Sequence, residues 1–213
     1  MPQTSIDTQF DYPRLPISIV ALPNDFEARA LREILEMCFD CVVTVHWIGT
    51  PEDFLKVLGQ GETAPRYLII AGHGDDTGYY FGEYIPEIDT SMLRNEHMPP
   101  EVIAPVVNLP GCTVISSACA GGIEPMGKAF IQNGKIGAYI ACRDYPNGTD
   151  MPVFLVNFFF YSLRKKLSDR EAWQMAMRTI DNLAIYQMSY YHADGTIEHY
   201  DPDTAETLAP KVV

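Results

Sequence analysis

Two residues whose side chains could carry out covalent chemistry each follow a short apolar run. Cys119 comes after residues 113–118 (TVISSA), and His73 comes after residues 66–72 (RYLIIAG). A cysteine attacks a carbonyl carbon as its thiolate, and it needs a neighbouring group that takes and returns a proton. The ordinary pKa of histidine, about 6.5, suits that exchange near neutral pH. Cys119 and His73 could therefore act together as nucleophile and general acid/base.

Both apolar runs are typical of covered β-strands, and this determines where the two side chains would lie. The runs are rich in aliphatic and β-branched residues and are followed by glycines, which favours central strands of a parallel sheet. The stretch between them is long enough for a crossover connection, and parallel neighbours lie about 4.8 Å apart. We therefore predict that His73 and Cys119 share one cleft at the carboxyl ends of adjacent strands, the edge where open α/β sheets bind ligands.

The residues around these two side chains resemble the signature of the caspase-like cysteine peptidases, a superfamily that includes caspases, gingipains, clostripain, separase and the bacterial CHAT domains. One half of the signature is an apolar block ending in His-Gly, here His73 and Gly74. The other half ends in Ala-Cys-x-Gly, here residues 118–121. Ser117 stands where caspases carry glutamine, so the chain is nearer to the CHAT and separase branch. In element order the resemblance spans residues 17–183.

The resemblance implies a fold and an activity. The expected fold class is α/β, a three-layer α/β/α sandwich with a mostly parallel central sheet of caspase-like type. The expected activity is that of a thiol protease, a cysteine endopeptidase with Cys119 as nucleophile and His73 as general acid/base. The backbone N–H groups of Gly74 and Cys119 would form the oxyanion hole, since glycine lets the main chain approach a substrate closely. A protein or peptide would be the substrate, and no cofactor is expected.

Loops beside the two strands would decide which residue precedes the cleaved bond. Caspases hold an aspartate with arginines and with the glutamine that Ser117 replaces, so an aspartate pocket of that type is incomplete here. Separase and gingipain-like enzymes bind arginine or lysine with carboxylates, and the loop 143–150 offers Asp150 first and Asp144 second. We therefore predict substrate-binding roles for Ser117, Asp144 and Asp150 and cleavage after a basic residue. Two alternatives stay open: Arg143 would favour an acidic residue, and the aspartates could simply cap turns.

The remainder of the chain alternates predicted strands and helices, as an α/β domain requires. Further strands are predicted at 16–22, 41–48 and 136–142, helices at 25–38, 50–60, 99–106, 124–133, 151–167 and 168–183, and a hairpin at 190–200. Asn24 or Asp25 would cap the first helix, Thr50 the second, and Ser168 the last. Residues 75–110 show few regular signals beyond one short helix.

Composition and charge narrow the partners and the compartment. With 213 residues, 47% of them hydrophobic, we predict one domain over 1–213, with an arm at 1–15 and a C-terminal hairpin and tail at 184–213. The net charge of −13 argues against nucleic acid and against anionic membranes as partners. The start of the sequence lacks a signal-peptide pattern, and no apolar run reaches the roughly 20 residues that span a bilayer. The five cysteines show no disulfide spacing, so we expect a cytoplasmic protein.

Other uses of cysteine and histidine fit the sequence less well. Residues 118–121 have some likeness to the nucleophile turn of class I glutamine amidotransferases, but in that class the histidine follows the cysteine after a strand. Cys38 and Cys41 end a predicted helix rather than beginning one, which argues against a thioredoxin-type motif. His46 and His97 lack ligand-spaced companions, so no metal site is predicted. The main alternative is a caspase-like interaction module whose dyad is idle.

The predicted helix that follows the loop 143–150 is unusually apolar. Its large side chains exceed what one helix face can bury; they are Phe154, Leu155, Phe158, Phe159, Phe160 and Tyr161. Part of this set would line a subunit contact of a homo-oligomer, and complete burial within the core is the equal alternative.

Overall fold

A central sheet of seven strands forms the middle of the protein. The computed structural model describes residues 14–23, 27–179 and 187–200. From one edge of the sheet to the other the strands are β10 (Ile197–His199), β9 (Met188–His192), β8 (Ala138–Cys142), β7 (Thr113–Ser116), β3 (Tyr67–Ala71), β1 (Leu15–Ala21) and β2 (Cys41–Trp47). The five strands from β8 to β2 are parallel. The predicted terminal hairpin is present as β9 and β10, and β9 also pairs with β8 in antiparallel orientation.

Helices cover both faces of this sheet. One face carries α1 (Glu27–Phe39), α5 (Asp150–Phe159) and α6 (Asp169–Met177). The other carries α2 (Pro51–Leu58), α3 (Pro100–Ile103) and α4 (Glu124–Ile131). Along β3, Ile69 points into the first of these two cores and Ile70 into the second, which explains why the strand is apolar at every position. The prediction of a three-layer α/β/α sandwich with a mostly parallel sheet is confirmed.

A small second sheet lies within residues 74–98, most of which belong to the region with few regular signals in its sequence. It contains β4 (Gly74–Asp75), β5 (Gly78–Tyr80) and β6 (His97–Met98), joined in antiparallel orientation with β5 in the middle. Strands of two or three residues are too short for a visible alternation of polar and apolar residues. The small sheet packs on the same face as α2, α3 and α4, and its first strand begins directly after His73.

The ends of several helices follow the predicted local chemistry. The Thr50 side chain accepts a hydrogen bond from the Asp53 N–H at 3.2 Å, and Ser168 forms the predicted capping box. The helix predicted over 151–167 is shorter, because it changes at Phe160–Arg164 into a π-helical turn and ends there, two residues before Lys166, whose φ is +58°. The predicted caps at Asn24 and Asp25 lie outside the described residues, as do 1–13, 180–186 and 201–213.

Most of the large apolar side chains of α5 are buried inside the domain. Phe154, Leu155, Phe158 and Phe159 are buried in the core, whereas Phe160 is 40% exposed. A homo-oligomer therefore stays a prediction, supported by a smaller surface than the sequence suggested. Across the ranges given above, none of the helices combines the length and the apolar character needed to cross a bilayer.

A buried carboxylate connects α6 to the amino ends of the central strands. Asp169 is 8% exposed and accepts hydrogen bonds from Arg66 Nη2 at 2.6 Å, Tyr67 OH at 2.7 Å and Thr113 Oγ1 at 2.6 Å. Charge-assisted hydrogen bonds of this kind are stronger than those between neutral groups. This cluster lies at the edge of the sheet opposite to His73 and Cys119, and it joins the amino ends of β3 and β7 to α6.

Candidate active site

Strands β3 and β7 are parallel neighbours and bring the two motifs side by side. Ile70 lies opposite Ser116 in their register, and the Ser117 N–H continues the ladder by donating to the Ile70 carbonyl at 2.9 Å. His73 and Cys119 follow this pair by the same number of residues, so both strands deliver them to the same carboxyl edge. The predicted adjacency of the two strands is confirmed.

The turn that contains His73 and Gly74 lies directly against the turn that contains Cys119. A Cβ atom placed on Gly74 would lie 2.7 Å from the Cys119 carbonyl oxygen and 3.1 Å from the Gly78 carbonyl oxygen. Both neighbours are backbone atoms, so glycine is what allows the two turns to approach this closely. His73 is exposed and Cys119 is half-buried. Both residues are therefore accessible from the same edge.

The pairing of β4 with β5 leaves the Gly74 amide outside their ladder. The Tyr80 N–H donates to the His73 carbonyl at 3.0 Å, and the next pairs along the hairpin are Gly74 with Tyr79 and Asp75 with Gly78. Hydrogen-bonded and non-hydrogen-bonded pairs alternate in antiparallel strands. Gly74 and Tyr79 are therefore a non-hydrogen-bonded pair, and the N–H of Gly74 points away from β5.

Main-chain hydrogen bonds to β8 and its following loop fix the turn around Cys119. Ala120 adopts a left-handed conformation with φ +52°, and its N–H donates to the Asp144 carbonyl at 3.0 Å. The Gly122 N–H donates to the Cys142 carbonyl at 2.6 Å. A left-handed residue other than glycine costs of the order of 1 to 2 kcal/mol, so these bonds hold the turn in a conformation that the chain alone would disfavour.

Burial is the main influence on the Cys119 thiol, and it raises the pKa. The backbone N–H of the same residue lowers the pKa, whereas the carboxylates of Glu27 and Asp144 raise it further. The thiol is therefore protonated at neutral pH when the cleft is empty, and thiolate formation requires a base. His73 lies at the same edge and is the candidate for that role.

The remaining described cysteines differ from Cys119 in burial or in position. Cys41, Cys112 and Cys142 are buried, and desolvation raises their pKa values to about 11, about 12 and about 12. Cys38 is exposed on α1, away from the edge where the strands end. Cys119 is thus the thiol that combines access with a place at the carboxyl edge.

The residues predicted to bind substrate have different surroundings. Asp144 is exposed beside the Cys119 turn, and its Oδ1 accepts from the Tyr145 N–H at 2.8 Å. Asp150 is half-buried and begins α5. Ser117 is 6% exposed, and its hydroxyl donates to the Ile70 carbonyl at 3.3 Å. The guanidinium of Arg143 donates to Gln187 Oε1 at 2.8 Å and to the Gln187 carbonyl at 3.3 Å.

Two features of the site have no signal in the sequence. The Tyr145 hydroxyl lies 3.4 Å from Asp76 Oδ1, so the loop after β8 reaches the turn between β4 and β5. The carboxylate of Glu27 raises the pKa of the Cys119 thiol, because α1 begins near the carboxyl edge of the sheet. Both depend on how distant segments meet. Within the described part of the chain, no three His, Cys, Asp or Glu side chains are grouped so that they could hold a metal ion.

Comparison with known proteins adds one similarity of structure. No protein-family model matches the chain, and no curated protein matches it. Among solved structures, the chain is similar to a secreted C11 cysteine protease from Bacteroides thetaiotaomicron in complex with an irreversible peptide inhibitor. The TM-score is 0.47 at 10% sequence identity, over 85% of this chain and 67% of the other. At these values the similarity is no basis for an activity, which must be inferred from the residues of this chain.

Proposed function

We propose that this protein is a cysteine endopeptidase that acts through Cys119 and His73 and cleaves after arginine or lysine. The observation that supports this most strongly is the contact between Gly74 and the Cys119 carbonyl at one carboxyl edge. The contact supports the proposal because it joins the main chains of two motifs whose order along the sequence is that of the caspase-like peptidases.

In the proposed reaction the imidazole of His73 takes the proton from Cys119 Sγ, and the thiolate attacks the carbonyl carbon of the substrate. The carbonyl electron pair moves to the oxygen, which accepts hydrogen bonds from the N–H groups of Gly74 and Cys119. When the tetrahedral intermediate collapses, the C–N bond breaks and His73 gives its proton to the leaving amine. Water then attacks the thioester while His73 takes one of its protons. The C–S bond breaks to release the acid, and His73 returns the proton to Sγ, which restores the thiol.

Of the two candidate carboxylates, we favour Asp144 for binding the basic side chain. The carbonyl of Asp144 accepts a hydrogen bond from the Cys119 turn, and the negative charge of its side chain raises the pKa of the thiol. Asp150 begins a helix instead, where a carboxylate stabilises the first turn. Arg143, which would suit an acidic substrate residue, donates a hydrogen bond to the side chain of Gln187. The net charge of −13 also attracts basic peptides.

One observation favours the second candidate, a caspase-like module that binds a partner without catalysis. Burial and two carboxylates all raise the pKa of the Cys119 thiol, which lowers the thiolate population in the empty cleft. An interaction module would have no need for a reactive thiolate.

The experiment that tests the proposal is cleavage of a peptide library by the wild type and by the variants Cys119→Ala and His73→Ala. We expect cleavage after Arg and Lys, complete loss in Cys119→Ala, and a loss of about a hundredfold or more in His73→Ala. The matched pair Asp144→Asn and Asp150→Asn tests specificity, with the larger loss expected in the first. Absence of cleavage together with absence of labelling by a thiol-directed acyloxymethyl ketone would support the idle module. Cleavage after aspartate would implicate Arg143.

A further inference from the structure

Three buried tyrosines direct their hydroxyl groups at or toward the turn that follows Cys119. Tyr79 on β5, Tyr139 on β8 and Tyr191 on β9 are each 0% exposed. Tyr139 OH donates to the Gly121 carbonyl at 2.6 Å, and Tyr191 OH donates to the Gly122 carbonyl at 2.6 Å. Tyr79 OH lies 2.8 Å from Tyr139 OH. Hydroxyl groups of these three strands therefore meet inside the core, beside the buried Ser116 of β7.

The direction of the hydrogen bonds in this group follows from proton counting. A tyrosine hydroxyl has one proton to donate, and Tyr139 gives its proton to the Gly121 carbonyl. In the contact between the two hydroxyls, Tyr79 must therefore donate and Tyr139 accept. Tyr79 is also the residue that pairs with Gly74 across β4 and β5. The chain of contacts thus runs from the turn beside His73 to the turn beside Cys119.

Packing alone does not require these hydroxyls. The ring of Phe130 stacks on Tyr139 with centroids 4.2 Å apart, and phenylalanine in place of the tyrosines would fill the same space. A buried hydroxyl costs free energy unless it is hydrogen-bonded, so a purely structural core favours phenylalanine. The sequence also makes room for Tyr191, because a Cβ on Gly127 of α4 would overlap its ring. The hydroxyls therefore have a polar task. The carbonyls that they reach belong to the turn after Cys119, and Tyr79 connects this group to Gly74 through the pairing of β4 with β5.

Burial also keeps these hydroxyls in their donating form. Desolvation raises the pKa of Tyr79 to about 12 and raises the pKa of Tyr139 well above its ordinary value. Both side chains therefore stay neutral and able to donate at every pH at which a cysteine and a histidine exchange a proton.

We propose that Tyr79, Tyr139 and Tyr191 are positioning residues that hold the Cys119 turn in register with the turn of His73 and Gly74. This inference rests on the proposed function, since it concerns the same thiol. The carbonyls of Gly121 and Gly122 follow Cys119 in the same turn, so holding them restricts the conformation of that turn. The restriction extends to the direction of the Cys119 N–H, which stabilises the thiolate.

The test compares Tyr139→Phe with Tyr67→Phe. Tyr67 is also buried, and its hydroxyl bonds to Ser162 and Asp169 at 2.6 and 2.7 Å, but it lies at the opposite edge of the sheet. Alkylation of Cys119 by iodoacetamide, followed by mass spectrometry of its peptide, measures thiol reactivity without any substrate. We expect Tyr139→Phe to slow alkylation at pH 7 about fivefold and move its pH profile upward, and to lower kcat about tenfold with KM changed less than about twofold. Tyr67→Phe should leave all of these values unchanged.

The outcomes separate this inference from the proposed function. Unchanged alkylation in Tyr139→Phe, or an equal loss in Tyr67→Phe, would overturn the positioning role, even if the wild type cleaves peptides. Absence of cleavage by the wild type would overturn the proposed function, while alkylation still decides the positioning role. The double variant Tyr79→Phe/Tyr139→Phe should lose no more than Tyr139→Phe, because the Tyr79 hydroxyl acts through Tyr139, and additive losses would contradict that order. If Tyr139→Phe does not fold, Tyr191→Phe carries the same expectation through Gly122.

Discussion

The substitution Gly74→Ala is expected to separate the two halves of the candidate active site. The new Cβ would lie 2.7 Å from the Cys119 carbonyl oxygen, whereas ordinary contact begins at 3.4 Å. The Gly78 carbonyl oxygen, 3.1 Å away, is also too close, so a shift that relieves one contact must not tighten the other. Both obstacles are backbone atoms, and neither can move as freely as the end of a side chain.

The size of the effect follows from the required displacement. To reach ordinary contact the two turns must separate by about 0.7 Å, the difference between 3.4 and 2.7 Å. Overpacking of this kind costs about 1 to 3 kcal/mol of stability. A displacement of about 1 Å in a catalytic constellation can reduce the rate a hundredfold, so we expect kcat/KM to fall by roughly ten- to a hundredfold. The Gly74 N–H would move with the turn, which adds to the loss.

The assay combines urea unfolding with cleavage of an arginine-containing peptide. Gly49→Ala is the matched control, because its Cβ would lie 3.7 Å from Asp53 Oδ2, an ordinary contact, in a loop two strands away from β3. We expect the control to keep wild-type stability and activity. A Gly74→Ala variant with unchanged stability and unchanged kcat/KM would refute the close contact between the two turns.

Three further predictions follow from the charges in the structure. Asp144→Asn should speed alkylation of Cys119 at pH 7, because loss of the carboxylate lowers the pKa of the thiol, and should slow cleavage after arginine about ten- to a hundredfold; slower alkylation would contradict the first role, and unchanged cleavage would contradict the second. Asp169→Ala should reduce the free energy of unfolding by about 2 to 4 kcal/mol in urea titrations, since three donors lose their acceptor. Burial raises the pKa of Cys112 from the ordinary thiol value of 9.0 to about 12. Between these two pH values the folded state keeps a proton that the unfolded state has lost, so the free energy of unfolding should fall as the pH rises. A Cys112→Ala variant that keeps the full slope would refute this account.

The strands that carry His73 and Cys119 could be predicted because helices cover both faces of each strand, and their sequences are therefore rich in aliphatic and β-branched residues. Ile69 and Ile70 belong to different cores, so a strand between two helical layers must be apolar at successive positions. The crossover rule for parallel strands then places both ends at one edge. These two constraints place both motifs at one edge of the sheet, and the pairing of β3 with β7 makes them neighbours. Neither constraint determines how the side chains meet in the cleft.

The small sheet and the tyrosine contacts could not be predicted for a different reason. Strands such as Gly74–Asp75 have too few residues for a periodic pattern, and their pairing depends on where the chain returns after long loops. Tyr79 and Tyr139 are 60 positions apart, so nothing local indicates that their hydroxyls meet. The π-helical turn after Phe159 is equally invisible, because its residues favour an ordinary helix.

The sequence ranks Asp150 before Asp144 from its position relative to a helix, whereas the contacts around Cys119 favour Asp144, and both roles stay predictions. Asp150 begins α5, where a carboxylate also stabilises the first helical turn. The approach of Asp144 to the thiol depends on the hydrogen bond between its carbonyl and the Ala120 N–H, which is set by the register of β8 against β7. Such a contact is determined by how the strands pair, and the loop sequence alone does not indicate it.

The position of Asp144 also connects the protonation of the thiol to the substrate. In the empty cleft its carboxylate is one of the charges that raise the pKa of Cys119. A guanidinium or ammonium group that pairs with this carboxylate would offset its charge, and the pKa of the thiol would then fall. On the proposed function, a basic substrate thus promotes formation of the thiolate that attacks it, while the empty enzyme keeps a less reactive thiol. Alkylation of Asp144→Asn measures the effect of the charge on the thiol alone, because no substrate is present, whereas cleavage measures the loss of the charge and of the binding group together.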